Sequence, residues 1–244
     1  MALFRVYVDA PLSVDDTVSL GNAASHHLSS VLRLHTGDPV VLFNGDGHSY
    51  SATLVTTGKK TTAAVTDIKI STAESPVQLH LLQGLSRGDR MDTTVQKAVE
   101  LGVTSITPVF TQRSSVKLDA KRLQKKQQHW QNIAISACEQ SGRCMLPALH
   151  EPRPLKDLLS ADHTGPVNRL VMAPGASQRL GQVTISPNAA LQILIGPESG
   201  LTDDEIKQAV SAGFTAVSLG PRILRTETAG PAVLAILQSR FGDI

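Results

Sequence analysis

A change of rhythm near residue 72 constrains this 244-residue chain more than any single motif does. Before it, apolar and polar residues alternate in short runs at Leu3–Val8, Pro39–Phe43, Ser49–Val55 and Thr61–Ile70, the period-two pattern of half-buried strands. Asn44-Gly45-Asp46-Gly47 supplies residues that accept positive φ in a hairpin turn, and Thr57-Gly58-Lys59-Lys60 offers a second turn. One helix is expected among these strands, around Ala23–Leu32. Ser71 to Pro76 is small, polar and closed by proline, as a linker would be. Beyond Pro76, apolar strands alternate with longer amphipathic helices, which predicts a parallel sheet covered by helices. The strands are expected at Val77–Gln83, Ser105–Phe110, Leu170–Ala173, Leu191–Ile195 and Ala216–Leu219. Helices are expected from about Arg90 to Leu101 and Ala120 to Ser141, each stopped by a glycine suited to a left-handed cap, Gly102 and Gly142. Thr202 and Glu205 form a capping box at the start of another, and the last runs roughly Thr226 to Phe241 with Gly230-Pro231 in its first turns. Two domains follow, residues 1–72 and 77–244.

Composition excludes several classes. No segment approaches the ~18 uninterrupted apolar residues of a membrane span, and Met1 to Ala10 lacks the basic start and apolar core of a signal peptide, so a cytoplasmic protein is expected. Cys138 and Cys144 are the only cysteines; they fit no ligand spacing and read as reduced thiols. Net charge is only +2, but residues 81–130 hold nine basic side chains (Arg87, Arg90, Lys97, Arg113, Lys117, Lys121, Arg122, Lys125, Lys126) against four acidic ones. Such a cluster suits a phosphate backbone and equally a solvated helix face. Aromatic residues are 3% of the chain, too few for RNA binding driven by base stacking.

In a parallel sheet, ligands bind beyond the carboxyl ends of the strands. Two such exits here begin Gly-Pro: Gly196-Pro197-Glu198-Ser199-Gly200, and Gly220-Pro221-Arg222-Ile223-Leu224-Arg225-Thr226-Glu227 running into the last helix. Glycine permits close approach of a ligand to the backbone and proline stiffens the loop, although either loop alone could be a structural turn. Phosphate-loop, dinucleotide, nucleophile-elbow and HExxH motifs are missing from the sequence. No metal is expected: His26 and His27, adjacent on a helix, point about 100° apart.

Taken together, His26-His27-Leu28, Val31-Leu32-Arg33, Gln96-Lys97-Ala98, Glu100-Leu101-Gly102-Val103, Ala137-Cys138-Glu139-Gln140-Ser141-Gly142-Arg143, Ile195-Gly196-Pro197-Glu198 and Leu219-Gly220-Pro221-Arg222-Ile223-Leu224-Arg225-Thr226-Glu227-Thr228-Ala229 resemble, in order and spacing over nearly the whole chain, the SPOUT methyltransferases that make N3-methyluridine in 16S ribosomal RNA. The resemblance implies an α/β fold: a trefoil-knotted SPOUT domain behind an N-terminal PUA-like β-barrel domain that contacts RNA. It implies S-adenosyl-L-methionine (SAM) bound among Val171, Met172, Ala173, Pro174, Gly196, Pro197, Glu198, Ser218, Leu219, Gly220 and Leu224. It also implies a homodimer formed near the last helix, and 16S RNA or the small subunit as partner. Arg5, Arg33, Arg87, Arg90 and Arg143 are the expected RNA contacts. One departure is Ser199, where the family usually has glycine, which would be strained if that position needs positive φ. Methylation at N3 requires a base and a cation; Glu198 and Glu227 are the acidic candidates and Arg222 and Arg225 the cationic ones, with Glu198 and Arg225 favoured. A non-catalytic RNA-binding assembly factor and a SPOUT enzyme for another RNA site remain the alternatives.

Overall fold

The computed structural model describes residues 4–114, 119–160, 167–186 and 189–244. Leu3 of the first expected strand and Lys117 of the basic window lie outside them. The chain forms two compact units, one reaching to Glu74 and including Ile135–Leu146, the other made of Ser75–Ala134 and Pro147–Ile244.

In the first unit, β1 (Phe4–Tyr7), β2 (Thr17–Ser19), β3 (Pro39–Phe43), β4 (His48–Thr56) and β5 (Thr62–Ile70) form one sheet in the order β1-β3-β4-β5-β2. The two turn sequences join the antiparallel pairs β3/β4 and β4/β5, with Gly45, Gly47 and Gly58 at φ 96°, 89° and 120°, conformations that cost an L-residue its Cβ clearance. The inward faces of the strands join Leu28 in an apolar core that includes Val6, Val40, Leu42, Leu54 and Val65. The expected helix is α1 (Asn22–His26) continued by a wider π-helical turn over His27–Val31. Strand β2 escaped sequence reading because three residues carry too little pattern.

The second unit contains β6 (Leu79–Gly84), α2 (Arg90–Glu100), β7 (Ser105–Phe110), most of α3 (Ala120–Ser141), β8 (Ala148–Leu149), β9 (Arg153–Pro154), α4 (Leu155–Leu159), β10 (Val167–Met172), β11 (Ala190–Ile195), α5 (Asp203–Ser211), β12 (Thr215–Val217) and α6 (Thr226–Phe241). The strands run in the order β12-β10-β11-β6-β7-β8, with β9 also on β7, and every pairing is parallel. Burial on both faces explains why β6 and β11 read as nearly continuous apolar runs. The short β8, β9 and α4 were not expected. Gly102 and Gly142 take φ 77° and 85° at the ends of α2 and α3, as their positions predicted. The Thr202 hydroxyl accepts from the Glu205 amide at 3.1 Å and the Glu205 carboxylate accepts from the Thr202 amide at 2.8 Å. Its other oxygen accepts from the Gln112 amide at 2.8 Å, so the capping glutamate also pins the loop after β7. Helix α6 packs on α2 and buries Val233, Leu234 and Leu237. Pro231 sits six residues into α6, beyond the first turn, and removes one internal hydrogen bond there. Among the described residues, no helix is long and apolar enough to cross a membrane.

Candidate active site

Strands β10, β11 and β12 end side by side, and the start of α6 closes the group. Between them lies a cleft of about 380 Å³, within the usual size of small-molecule sites. Met172, Ala173, Pro174, Gly196, Pro197, Glu198, Ser218, Leu219, Gly220 and Leu224 line it, together with Arg113, Arg222, Ile223, Thr226 and Ala229. Val171 does not: its side chain is fully buried with Leu82, Val109 and Leu194 in the core beneath.

The first Gly-Pro loop is built into the sheet. A Cβ on Gly196 would lie 2.8 Å from the Leu201 amide nitrogen, and one on Gly84, at the end of β6, would collide with Pro197 N. Only glycine at both places lets the loop sit on the strand ends. The Gly196 carbonyl accepts from the Thr226 hydroxyl at 2.8 Å, which in turn accepts from Gln83 Nε2 at 2.8 Å, so a buried polar chain links β6, the loop and α6. Arg113 donates to the carbonyls of Ser199 and Leu201. Glu198 Oε1 accepts from the Arg87 amide at 2.7 Å and from Arg90 Nη1 at 3.1 Å. Desolvation by itself would raise the Glu198 carboxyl, but the Arg87 amide, its own amide and the Arg90 charge outweigh it and hold it below the ordinary carboxylate range. Ser199 is not among the positive-φ residues, whereas Gly200 has φ 70°; the departure from the family pattern therefore brings no backbone strain.

The second Gly-Pro loop is open. Gly220 has φ 108° and, among the described residues, nothing within 4 Å of a Cβ placed on it. Arg222, Ile223 and Arg225 are exposed, Ile223 at 83%. Arg225 is the N-cap residue of α6, and its backbone carbonyl takes the amides of Thr228 and Ala229. It is not on the wall of the cleft, although its neighbours Leu224 and Thr226 are. Beside the loop, Ser218 and Arg179 form a parallel bridge, and Arg240 near the end of α6 donates to the carbonyls of Leu180 and Val183.

Residues 73–238 match the model of the RNA methyltransferase domain, and residues 20–65 match that of the RNA methyltransferase PUA domain. The chain belongs to the RNA methyltransferase family. The ribosomal RNA small subunit methyltransferase E of Buchnera aphidicola (Schizaphis graminum) is 32% identical over 98% of this chain and 97% of its own length. A methyltransferase from Legionella pneumophila solved with bound SAM superposes with a TM-score of 0.94 at 35% identity. The ribosomal RNA small subunit methyltransferase E of Neisseria gonorrhoeae, also bound to SAM, gives 0.93 at 39%, both over the full length of each chain.

The methyltransferase's expected RNA contacts divide. Arg33 is exposed, with φ 56°. Arg87 is exposed beside the cleft loop, and Arg90 bridges Glu198 and Glu227, 3.1 and 3.7 Å away. Arg143 is a correction: it is 5% exposed and paired at 3.0 Å with Glu74, whose carboxylate also takes the amides of Cys144 and Met145. That buried guanidinium ties the end of α3 to Glu74 within the first unit, which leaves little of it exposed for an RNA phosphate. Arg5 is half-buried, donates to the Arg143 carbonyl at 3.2 Å and to Cys144 Sγ at 3.0 Å, and covers the Phe43 ring. Glu139 accepts from the Tyr7 amide at 3.1 Å. Much of the basic window is likewise engaged, Lys97 with Glu100 and Arg122 with Asp119. Gln83, Gly84 and Thr226 were missed as site residues; a glycine ending an apolar strand was the available signal for one of them.

Proposed function

We propose that this chain is a SAM-dependent methyltransferase that methylates N3 of a uridine in the 16S RNA of the small ribosomal subunit, in the cytoplasm. What carries the reading is the cleft at the ends of β10, β11 and β12. Its apolar walls suit a base and a thioether, and two glycine loops bring backbone groups within reach of a ligand's polar edges. Near-full-length likeness to two relatives named as ribosomal RNA small subunit methyltransferase E, one of them solved with SAM, and to a Legionella methyltransferase also solved with SAM, supports the same assignment. Met172, Ala173, Pro174, Gly196, Pro197, Ser218, Leu219, Gly220 and Leu224 would hold the donor. When bound, SAM supplies a methyl group already activated on a sulfonium, so no metal is required.

The chain's own residues then have three tasks. Glu198 acts chiefly as an anchor: two donors engage Oε1, and a carboxylate held below its ordinary range is a poorer base. Arg225, beside the positive end of the α6 dipole, stabilises the negative charge that spreads to O2 and O4 as N3 loses its proton. Arg33 of the PUA-like domain (residues 1–72) and Arg87 and Arg90 of the methyltransferase domain (77–244) take RNA phosphates. The finer fold reading is a trefoil knot, favoured by the way Ser218 and Arg240 grip the 178–183 segment from two sides. A homodimer across α6 is proposed with it, Ile236 being 36% exposed on a largely apolar helix.

The test is mass spectrometry of 16S RNA from a deletion strain with and without this gene restored, with SAM binding measured by calorimetry in chelator. Restored N3-methyluridine is the expected result. SAM binding without any restored modification would favour the assembly-factor reading, and a new methyl group elsewhere would move the site.

A further inference from the structure

Glu198 and Glu227 stand on either side of one guanidinium but in opposite states. Glu198 Oε1 has two hydrogen-bond donors. Glu227 Oε2 is shielded from solvent and has no hydrogen-bond partner among the described residues; the Arg90 Nε that pairs with it is 3.7 Å away, too far for one. An unsatisfied buried carboxylate oxygen carries an uncompensated desolvation cost, and a fold that retains one usually does so at a working site. Glu227 also lines a second cleft of about 380 Å³, with Arg87, Gly88, Asp89, Arg90 and Thr93 at the N-terminus of α2. The Arg90–Glu198 pair forms part of the wall between this cleft and the one at the strand ends, and Thr226, next to Glu227, lines the latter.

We propose that this second cleft receives the target uracil and that Glu227 is its general base. The inference rests on the methyl-transfer reading above. The N3–H bond breaks, its proton passes to a Glu227 carboxylate oxygen, and the electron pair left on N3 forms the bond to the methyl carbon while the carbon–sulfur pair goes to sulfur. Arg90 holds the carboxylate at the cleft wall without a hydrogen bond to Oε2, so that oxygen accepts one from the base when the side chain turns into the cleft it lines. The amides at the start of α2 face the carbonyl oxygens on which charge develops. Selectivity follows: a ring without an N–H at this position leaves Oε2 unpaired and is disfavoured.

Glu227→Gln keeps the shape and loses the proton acceptor. Single-turnover methylation of small subunits lacking the modification is expected to fall roughly 100-fold at neutral pH. It should then recover about tenfold per pH unit towards pH 9, as uracil ionises without help, while the wild-type rate stays flat near neutrality. Melting temperature should stay within about 2 °C of wild type, and SAM affinity and anisotropy-measured RNA affinity without SAM within about twofold. Substituting 5-fluorouridine, whose N3–H is more acidic, should narrow the gap between variant and wild type. A rate within about threefold of wild type, an unchanged pH slope, or the same pH-recoverable loss in Glu198→Gln instead would overturn the assignment. Failure of the wild-type protein to methylate any uridine would overturn the methyl-transfer reading itself.

Discussion

The two Gly-Pro loops look alike in sequence and differ in almost every physical respect. Gly196-Pro197-Glu198 is clamped: backbone packed against backbone, a carbonyl held by Thr226, a carboxylate held by Arg87 and Arg90. Gly220-Pro221-Arg222 has open space around its glycine and side chains directed to solvent. One glycine is required by contact, the other by backbone angle. The first loop therefore sets the shape of the site, and the second presents groups to whatever approaches it. Variants of the clamping groups in the first should disturb stability and SAM affinity together; loss of an exposed side chain of the second that does not line the cleft, Arg225, should leave both and change the rate.

The largest separation is expected at Arg225. Arg225→Ala should lower the single-turnover rate on the order of ~100-fold or more, roughly 3 kcal/mol of transition-state stabilisation, with SAM affinity nearly normal. Lysine should restore only part, keeping the charge and losing the planar fork. Among the described residues the Arg225 side chain has no hydrogen bond or ion pair, so the melting temperature should hold. A drop in melting temperature equal to the loss in rate would make the second loop structural and erase the contrast.

In the first loop the sharpest test is Gly196→Ala, since the added methyl meets the Leu201 amide at 2.8 Å and the Gly200 carbonyl carbon at 2.9 Å. Overpacking of this kind costs about 1–3 kcal/mol, and SAM affinity by calorimetry should fall with the melting temperature. Gly220→Ala meets no atom of the described residues and carries only the strain of φ 108°, roughly 1–2 kcal/mol, so it should be the milder of the pair.

How much of this could be read in advance follows the range of the interactions involved. Helix ends and turns were legible because a glycine at positive φ or a Thr-x-x-Glu box is a local device, and Gly102, Gly142 and Thr202 behave as their neighbours dictated. The strand ends that line the cleft were legible because a parallel sheet puts its ligands there. Arg143 was not: its exposure is decided by Glu74, 69 residues away in sequence, and a basic side chain on a helix carries no local mark of such a partner. The roles of Gln83 and Thr226 depend on a hydrogen bond spanning 143 residues. The difference between Glu198 and Glu227 is of the same kind, since both follow a Gly-Pro loop and only the packing decides which oxygen is left without a donor.

The Glu198 anchor gives the first loop a pH dependence of its own. Its carboxyl is held below its ordinary value of 4.5 in the folded protein. Its contribution is thus complete above that value and disappears as pH falls through the lower, folded one. SAM affinity should weaken on acidification below about pH 4.5, and Glu198→Gln should remove that component while costing ~1 kcal/mol at neutrality, a modest figure because Arg90 is 44% exposed. An acid limb unchanged in the Gln variant would assign it to another group.

The smallest effect is predicted at Ser199, and its smallness is informative. The usual glycine here could be needed for positive φ, in which case serine would be a defect and Ser199→Gly would stabilise the protein by about 1 kcal/mol or more. Ser199 instead lies outside the positive-φ set, the left-handed position being taken by Gly200 at φ 70°. Its carbonyl accepts from Arg113 Nη1 at 3.0 Å, a contact that any residue can make. Serine then restricts the unfolded chain without straining the folded one, and glycine should destabilise by roughly 0.5 kcal/mol. SAM affinity and turnover should stay at wild-type values, because the loop is held by Gly196, Glu198 and Arg113 and not by the side chain at 199. A gain in melting temperature with Ser199→Gly would mean that the clamped loop stores strain at this position, and the contrast between a relaxed scaffold and an open second loop would have to be redrawn.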